Sequence, residues 1–230
     1  MTSELLILRP EPGASTTAKH AQEAGWKPIT VPLFTVTPQA WDPPPADRYD
    51  AVMMTSANAA HYGGAGLAEL FDLPLYAVGE ATADAATKAG FARVITGTGT
   101  AAALADQMRA EGVTRIFHPA GAATRPFDET GLRITRTTVY DATRVPPPDL
   151  AQNLRAGTVI LVHSPRAATY LDTLCTDQAI DRSPLRLVAI SPAALDQAGQ
   201  GWGAAIAADQ PDDAAMLAAA STLGESDPIG

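Results

Sequence analysis

The side chains with the most chemical promise in this sequence sit where a short apolar run gives way to an alanine-rich one. Thr55-Ser56-Ala57-Asn58-Ala59-Ala60 follows AVMM, and His163-Ser164-Pro165-Arg166 follows VILV. A serine or asparagine at such a junction caps a helix by accepting from a free backbone N–H. The same place suits an anion, because exposed N–H groups and the helix dipole converge on it. Arg166 adds a cation to the second motif. Val78-Gly79-Glu80-Ala81-Thr82-Ala83 and Ala189-Ile190-Ser191-Pro192-Ala193-Ala194 have the same character. Gly79 would let a ligand approach the backbone closely, and Thr82 either faces solvent in a first helical turn or joins the site. Arg9 and Arg125 also follow apolar runs, where each is either a solvated cation or a partner for carboxylates. Such a set binds and positions anions; it contains no carboxylate dyad for acid–base work.

Other motifs carry less. Gly97-Thr98-Gly99-Thr100-Ala101-Ala102 formally fits a dinucleotide fingerprint after RVIT, but no acid stands about 20 residues on, at the end of the next strand. His20, His61, His118 and His163 lack metal-ligand spacing, and no metal site is expected. Cys175 reads as a small core residue rather than a nucleophile. No Gly-x-Ser-x-Gly elbow accompanies the serines.

The elements that must carry these residues are strands alternating with helices. LLILR (5–9), AVMMTS (51–56), LYAVG (75–79), RVIT (93–96), RIFH (115–118), VILVHS (159–164) and LVAIS (187–191) are nearly continuous apolar runs, and most lead into amphipathic stretches. That pattern predicts an α/β fold with parallel sheets covered on both faces. Residues 31–50 and 138–150 break it: each is a β-prone run ending in a triple proline, Pro43–Pro45 and Pro146–Pro148. Proline runs stiffen linkers and cannot continue a central strand. They are read as two crossings, near 33–37 and 138–146, between a discontinuous lobe of 1–34 plus 147–230 and an inserted lobe of 37–143.

The lobes read as copies. Ser56 with Ser164, Gly79 with Ser191 and Phe91 with Trp202 recur at a nearly constant offset of about 110 residues. Fainter echoes pair LLILRPEPG (5–13) with RIFHPAG (115–121), and VPLF (31–34) with TTVY (137–140). Two like lobes would make a cleft, the usual place for a ligand.

Composition narrows the partners. With 230 residues, 46% hydrophobic and 18% charged, the chain is an ordinary globular protein. A net charge of −9 argues against nucleic acid as a partner. Asp209, Asp212, Asp213, Glu225 and Asp227 crowd the end of the chain without any Lys or Arg, and the stretch after about Ala220 is expected to be dispensable. No run approaches the roughly 20 apolar residues of a membrane span. The opening Met-Thr-Ser-Glu predicts no signal peptide. A single cysteine excludes an internal disulfide and fits the cytoplasm.

Taken in order, Thr-Ser-x-Asn-Ala at 55–59, Val-Gly-x-x-Thr-Ala at 78–83, Val139-Tyr140, His163-Ser164-Pro165 and Ala189-Ile190-Ser191-Pro192 resemble uroporphyrinogen-III synthase, from Leu6 to about Leu217. The resemblance implies two flavodoxin-like lobes joined by a two-stranded linker, a monomer without cofactor, and hydroxymethylbilane, an octacarboxylate, as substrate. Loss of the hydroxyl as water leaves a cation stabilised by the pyrroles. Attack from the substituted carbon of ring D then gives a spiro intermediate and uroporphyrinogen III, where the uncatalysed closure gives isomer I. Matching positions are Thr55, Ser56, Asn58, Gly79, Thr82, Tyr140 and Ser164, with Tyr140 either an aromatic packer or a donor to the departing hydroxyl. The family commonly has Ala-Ile-Gly-Pro followed by two threonines; here Ser191 replaces the glycine, and Ala193 and Ala194 the threonines. The alternatives are a two-lobed binding or sensor protein without catalysis, and a nucleotide-sugar transferase.

Overall fold

In the computed structural model residues 4–146 and 150–224 are described. Pro147 and Pro148 of the second triple proline, and Glu225 and Asp227 of the acidic end, lie outside the described residues. The order is β1 (Glu4–Ile7), α1 (Gly13–Glu23), β2 (Lys27–Thr30), β3 (Phe34–Pro38), β4 (Ala51–Met54), α2 (Ala57–Tyr62), β5 (Leu75–Ala77), α3 (Glu80–Ala89), β6 (Val94–Thr96), α4 (Ala101–Ala110), β7 (Arg115–Gly121), β8 (Arg133–Arg144), β9 (Val159–Val162), α5 (Pro165–Asp177), β10 (Arg186–Ala189), α6 (Pro192–Asp196), β11 (Ala204–Ala207) and α7 (Asp213–Gly224), with short 3-10 turns between some of them.

The chain forms two compact units, Met1–Thr35 with Arg144–Gly230, and Val36–Thr143. The first is built on a sheet ordered β11-β10-β9-β1-β2, parallel throughout. The second is built on a sheet ordered β3-β8-β7-β4-β5-β6, parallel from β8 to β6. Both follow one plan. β4 has β5 and β6 to one side and β7 and β8 to the other; β9 has β10 and β11 to one side and β1 and β2 to the other. The reversal of strand order therefore falls between β4 and β7 in one unit and between β9 and β1 in the other. Beyond the carboxyl ends of the strands, such a switch point is where open α/β sheets bind ligands.

Alternation along the strands assigns each face its helices. In the first unit Leu6, Leu8, Ile160, Val162 and Leu187 pack with Ala167, Leu171 and Leu174 of α5. Leu5, Ile7, Val159, Leu161 and Val188 pack instead with α1 and with Met216, Leu217, Ala220 and Leu223 of α7. In the second, Val52, Met54, Leu75, Ala77 and Phe117 face α2 and α3, while Ala51, Met53, Tyr76 and Ile116 face Leu104 and Met108 of α4. Strands so short form because both faces are buried: each residue of AVMM and VILV is 0% exposed.

One expectation is corrected. Helix α7 continues to Gly224, and Leu223 is buried against the sheet. A cut at Thr222 would therefore remove a core leucine, so the stretch after Ala220 is not dispensable as a whole.

Candidate active site

In the second unit the sequence-predicted residues fall at the carboxyl ends of β4 and β5 and at Tyr140 within β8, opposite the end of β7. Ser56 caps α2, its Oγ accepting from the Asn58 N–H at 3.2 Å. Its hydroxyl also stands close enough to Tyr140 to lower the phenol's pKa. Tyr140 is half-buried in β8, with the Tyr62 ring 6.5 Å away between centroids. Its ring lies across Gly121 at the end of β7, so closely that a Cβ there would stand 2.7 Å from Cζ and 2.8 Å from the hydroxyl oxygen. A register shift between Ala120 and Gly121 sets Gly121 opposite Tyr140, a bulge that aims the ring. Burial pushes the phenol's pKa above its usual value, and the nearby Ser56 hydroxyl only partly opposes this. Tyr140 is therefore a neutral donor at neutral pH.

On the neighbouring strand, Gly79 precedes α3 in extended backbone, with φ −175°. A Cβ there would meet only Gly99 Cα, at an ordinary 3.9 Å. The chain itself does not require glycine at 79, which leaves close approach by a ligand as a reason for it. Thr82 does not face solvent; it is 5% exposed in the first turn of α3. The fingerprint-like run has a local cause. Gly97 has Leu104 where a Cβ would go, Gly99 takes φ +104°, and Thr100 caps α4.

Thr55 continues the alternation of Ala51 and Met53, and His118 that of Ile116, so both stand on the α4 side. Thr55 Oγ1 and His118 Nε2 are 3.2 Å apart. Burial, with a smaller contribution from the Arg136 charge, brings His118 down to about 4, against the opposing pull of Glu129. Its imidazole is neutral.

In the first unit Ser164 and Ser191 are the corresponding caps, accepting from Ala167 N at 3.1 Å and Ala194 N at 3.3 Å. Arg166 lies over the Phe34 ring at 4.6 Å; Phe34 meets Tyr170 edge-on at 5.9 Å, and Arg144 covers Tyr170 at 4.4 Å. Stacking fixes each guanidinium plane and leaves its edge for an acceptor. Arg9 is different. Its Nη1 donates to Asp213 at 3.1 Å and to Thr17 at 3.2 Å. Thr17 also donates to Asp213 at 2.8 Å, with His163 Nε2 3.4 Å and His20 Nδ1 3.6 Å from the same carboxylate. Burial alone would raise the Asp213 pKa, yet His163, Thr17 and the Arg9 charge outweigh it and hold the carboxyl near 2. The guanidinium of Arg9 is thus spent on an internal carboxylate, and the structure does not group Arg9 with the other candidates. Arg125 is exposed in the segment between β7 and β8, also apart from them.

His118, Gly121, Arg144 and Asp213 were missed by sequence reasoning, which weighed His118 only as a metal ligand. The echo of Arg9-Pro10 in His118-Pro119 is the signal that marks His118 as a switch-point residue. Among the described residues no group of three or more His, Cys, Asp or Glu side chains is arranged to hold a metal ion, and no helix is long and apolar enough to cross a membrane.

The family model described as uroporphyrinogen-III synthase HemD matches residues 15–218. A search of the curated proteins finds no match. Among solved structures, uroporphyrinogen-III synthetase from Helicobacter pylori aligns over 97% of this chain and 100% of its own, at 16% identity and a TM-score of 0.63. A mutant uroporphyrinogen III synthase from the extremely thermophilic bacterium Thermus thermophilus aligns over 98% and 100%, at 13% identity and a TM-score of 0.58. Those two likenesses show the fold, and the family match spans most of the sequence: the chain belongs to the uroporphyrinogen-III synthase family.

Proposed function

We propose that this chain cyclises hydroxymethylbilane to uroporphyrinogen III with loss of water, acting as a cytoplasmic monomer, and that Tyr140 assists departure of the hydroxyl. The observation that carries the reading is the seating of Tyr140 across Gly121 at the end of β7, half-exposed and close to the Ser56 cap. Its raised pKa suits a hydrogen-bond donor to the departing hydroxyl. The carbon–oxygen bond breaks as the pyrrole nitrogen's electrons fill in behind it. The released oxygen leaves as water, and the proton lost when ring D regains aromaticity restores the balance. Binding of eight carboxylates falls to donors rather than to net charge. The caps and first turns at Thr55, Ser56, Asn58, Gly79, Thr82, Ser164 and Ser191, together with Arg166, are proposed to contact them. The work is mainly positioning, worth roughly 7–11 kcal/mol when geometry is held. A buried single cysteine accords with a reducing compartment.

Tyr140→Phe tests the reading, because it keeps the ring and removes only the donor. Turnover is expected to fall roughly 10²–10⁴-fold, the worth of one positioned acid, with melting temperature barely changed. Turnover within about threefold of wild type would make Tyr140 a packing residue.

A further inference from the structure

His118 belongs to no motif of the family resemblance, yet among the described residues it is the histidine of the second unit that meets a candidate site residue. It is 1% exposed in the middle of the sheet, between β4 and β8, and its side chain hydrogen-bonds to Thr55. Its Nδ1 has no partner. An apolar side chain would fill this place at less cost, since a buried polar atom without a partner is unfavourable. Something other than packing therefore accounts for an imidazole here.

The orphaned nitrogen fixes the tautomer. If Nδ1 carried the proton, a buried N–H would lack an acceptor, which is the rarer and costlier defect. With the proton on Nε2, only a lone pair goes unsatisfied, and Nε2–H donates to Thr55 Oγ1. The Thr55 oxygen is then an acceptor towards His118, and its own proton must point elsewhere. Thr55 is half-buried, so that elsewhere is the open end of the strands. The first unit supports this use of the position. At the matching switch point Arg9 stands where His118 does and His163 where Thr55 does, and the polar groups converge on a carboxylate, that of Asp213. Asp213 opens α7; at the same place opening α4 the second unit has Ala101. It supplies no carboxylate of its own there.

We propose that His118 is a positioning residue that holds the Thr55 hydroxyl as an outward hydrogen-bond donor to a carboxylate of the substrate. The proposal rests on the functional reading above. It is tested by steady-state kinetics with hydroxymethylbilane for Thr55→Val, His118→Leu, His118→Gln and the double variant Thr55→Val/His118→Leu, each with its melting temperature.

Thr55→Val is expected to raise KM by roughly 10- to 100-fold, as for one hydrogen bond to a charged acceptor, with kcat little changed. His118→Leu should raise KM nearly as much, and His118→Gln, which keeps an N–H close to the Nε2 position, should restore it to within about threefold. The double variant should be no worse than Thr55→Val. KM unchanged in His118→Leu, or effects that multiply in the double variant, would overturn the proposal, whatever the melting temperatures. Should His118→Leu fail to fold, His118→Met, which also removes the N–H, carries the same comparison in the wild-type and Thr55→Val backgrounds. A wild-type protein that does not consume hydroxymethylbilane would instead overturn the functional reading, and the inference with it.

Discussion

At the scale of single residues, the site depends on side chains that are missing as much as on those present. Gly121 is the clearest case. Its φ is not the reason for glycine; the Tyr140 ring occupies the volume of its Cβ. Gly121→Ala should push the ring from its seat and away from Ser56. Displacing a catalytic group by about 1 Å costs up to 10²-fold, so turnover should fall by at least about tenfold. Tyr140 is only half-buried and has room to move outward, so thermal stability should change far less. In a Tyr140→Phe background the alanine should cost little more, and a full additional loss there would separate Gly121 from the tyrosine. None of this was visible in the sequence. Gly121 and Tyr140 meet through a strand register and its bulge, and neither is set by local pattern.

At the scale of elements, the sequence was most readable where one physical cause acted alone. The runs AVMM, VILV and LLILR became central strands because apolar residues on both faces can only be buried on both faces. Ser56, Ser164 and Ser191 became helix caps for the reason caps are polar. The outer strands were harder. KPIT and AAIA, β2 and β11, have too few branched residues to announce themselves and pair only because a neighbour templates them. Least legible was the union of β1, α1, β9 and α7 at Asp213, whose partners Arg9 and Thr17 are 204 and 196 residues away. That union has a pH signature. Asp213 has an ordinary pKa of 3.8 and a folded one near 2. Its stabilisation is fully present above the ordinary value and is lost as pH falls through the folded one. It amounts to roughly 2 kcal/mol. Urea unfolding of wild type and Asp213→Asn should therefore differ by about that much at pH 5 and converge towards pH 2. A constant gap would mean the carboxylate is not the titrating group.

At the scale of the whole molecule, one strand plan occurs twice, and the constant offset between Ser56 and Ser164, or Phe91 and Trp202, was its trace in the sequence. The two copies have diverged at their switch points. One closes on its own carboxylate through Arg9; the other opens α4 with Ala101 and sets Thr55 against His118. On the function proposed above, a chain of net charge −9 would bind its anionic substrate through local donors, without a favourable overall field. The central claim is that this arrangement directs ring closure. Incubating the protein with freshly prepared hydroxymethylbilane, oxidising the products and separating the isomers measures that directly. Uroporphyrinogen III should form well ahead of the spontaneous reaction and dominate over isomer I. Isomer I alone, at the rate seen without protein, would contradict the account.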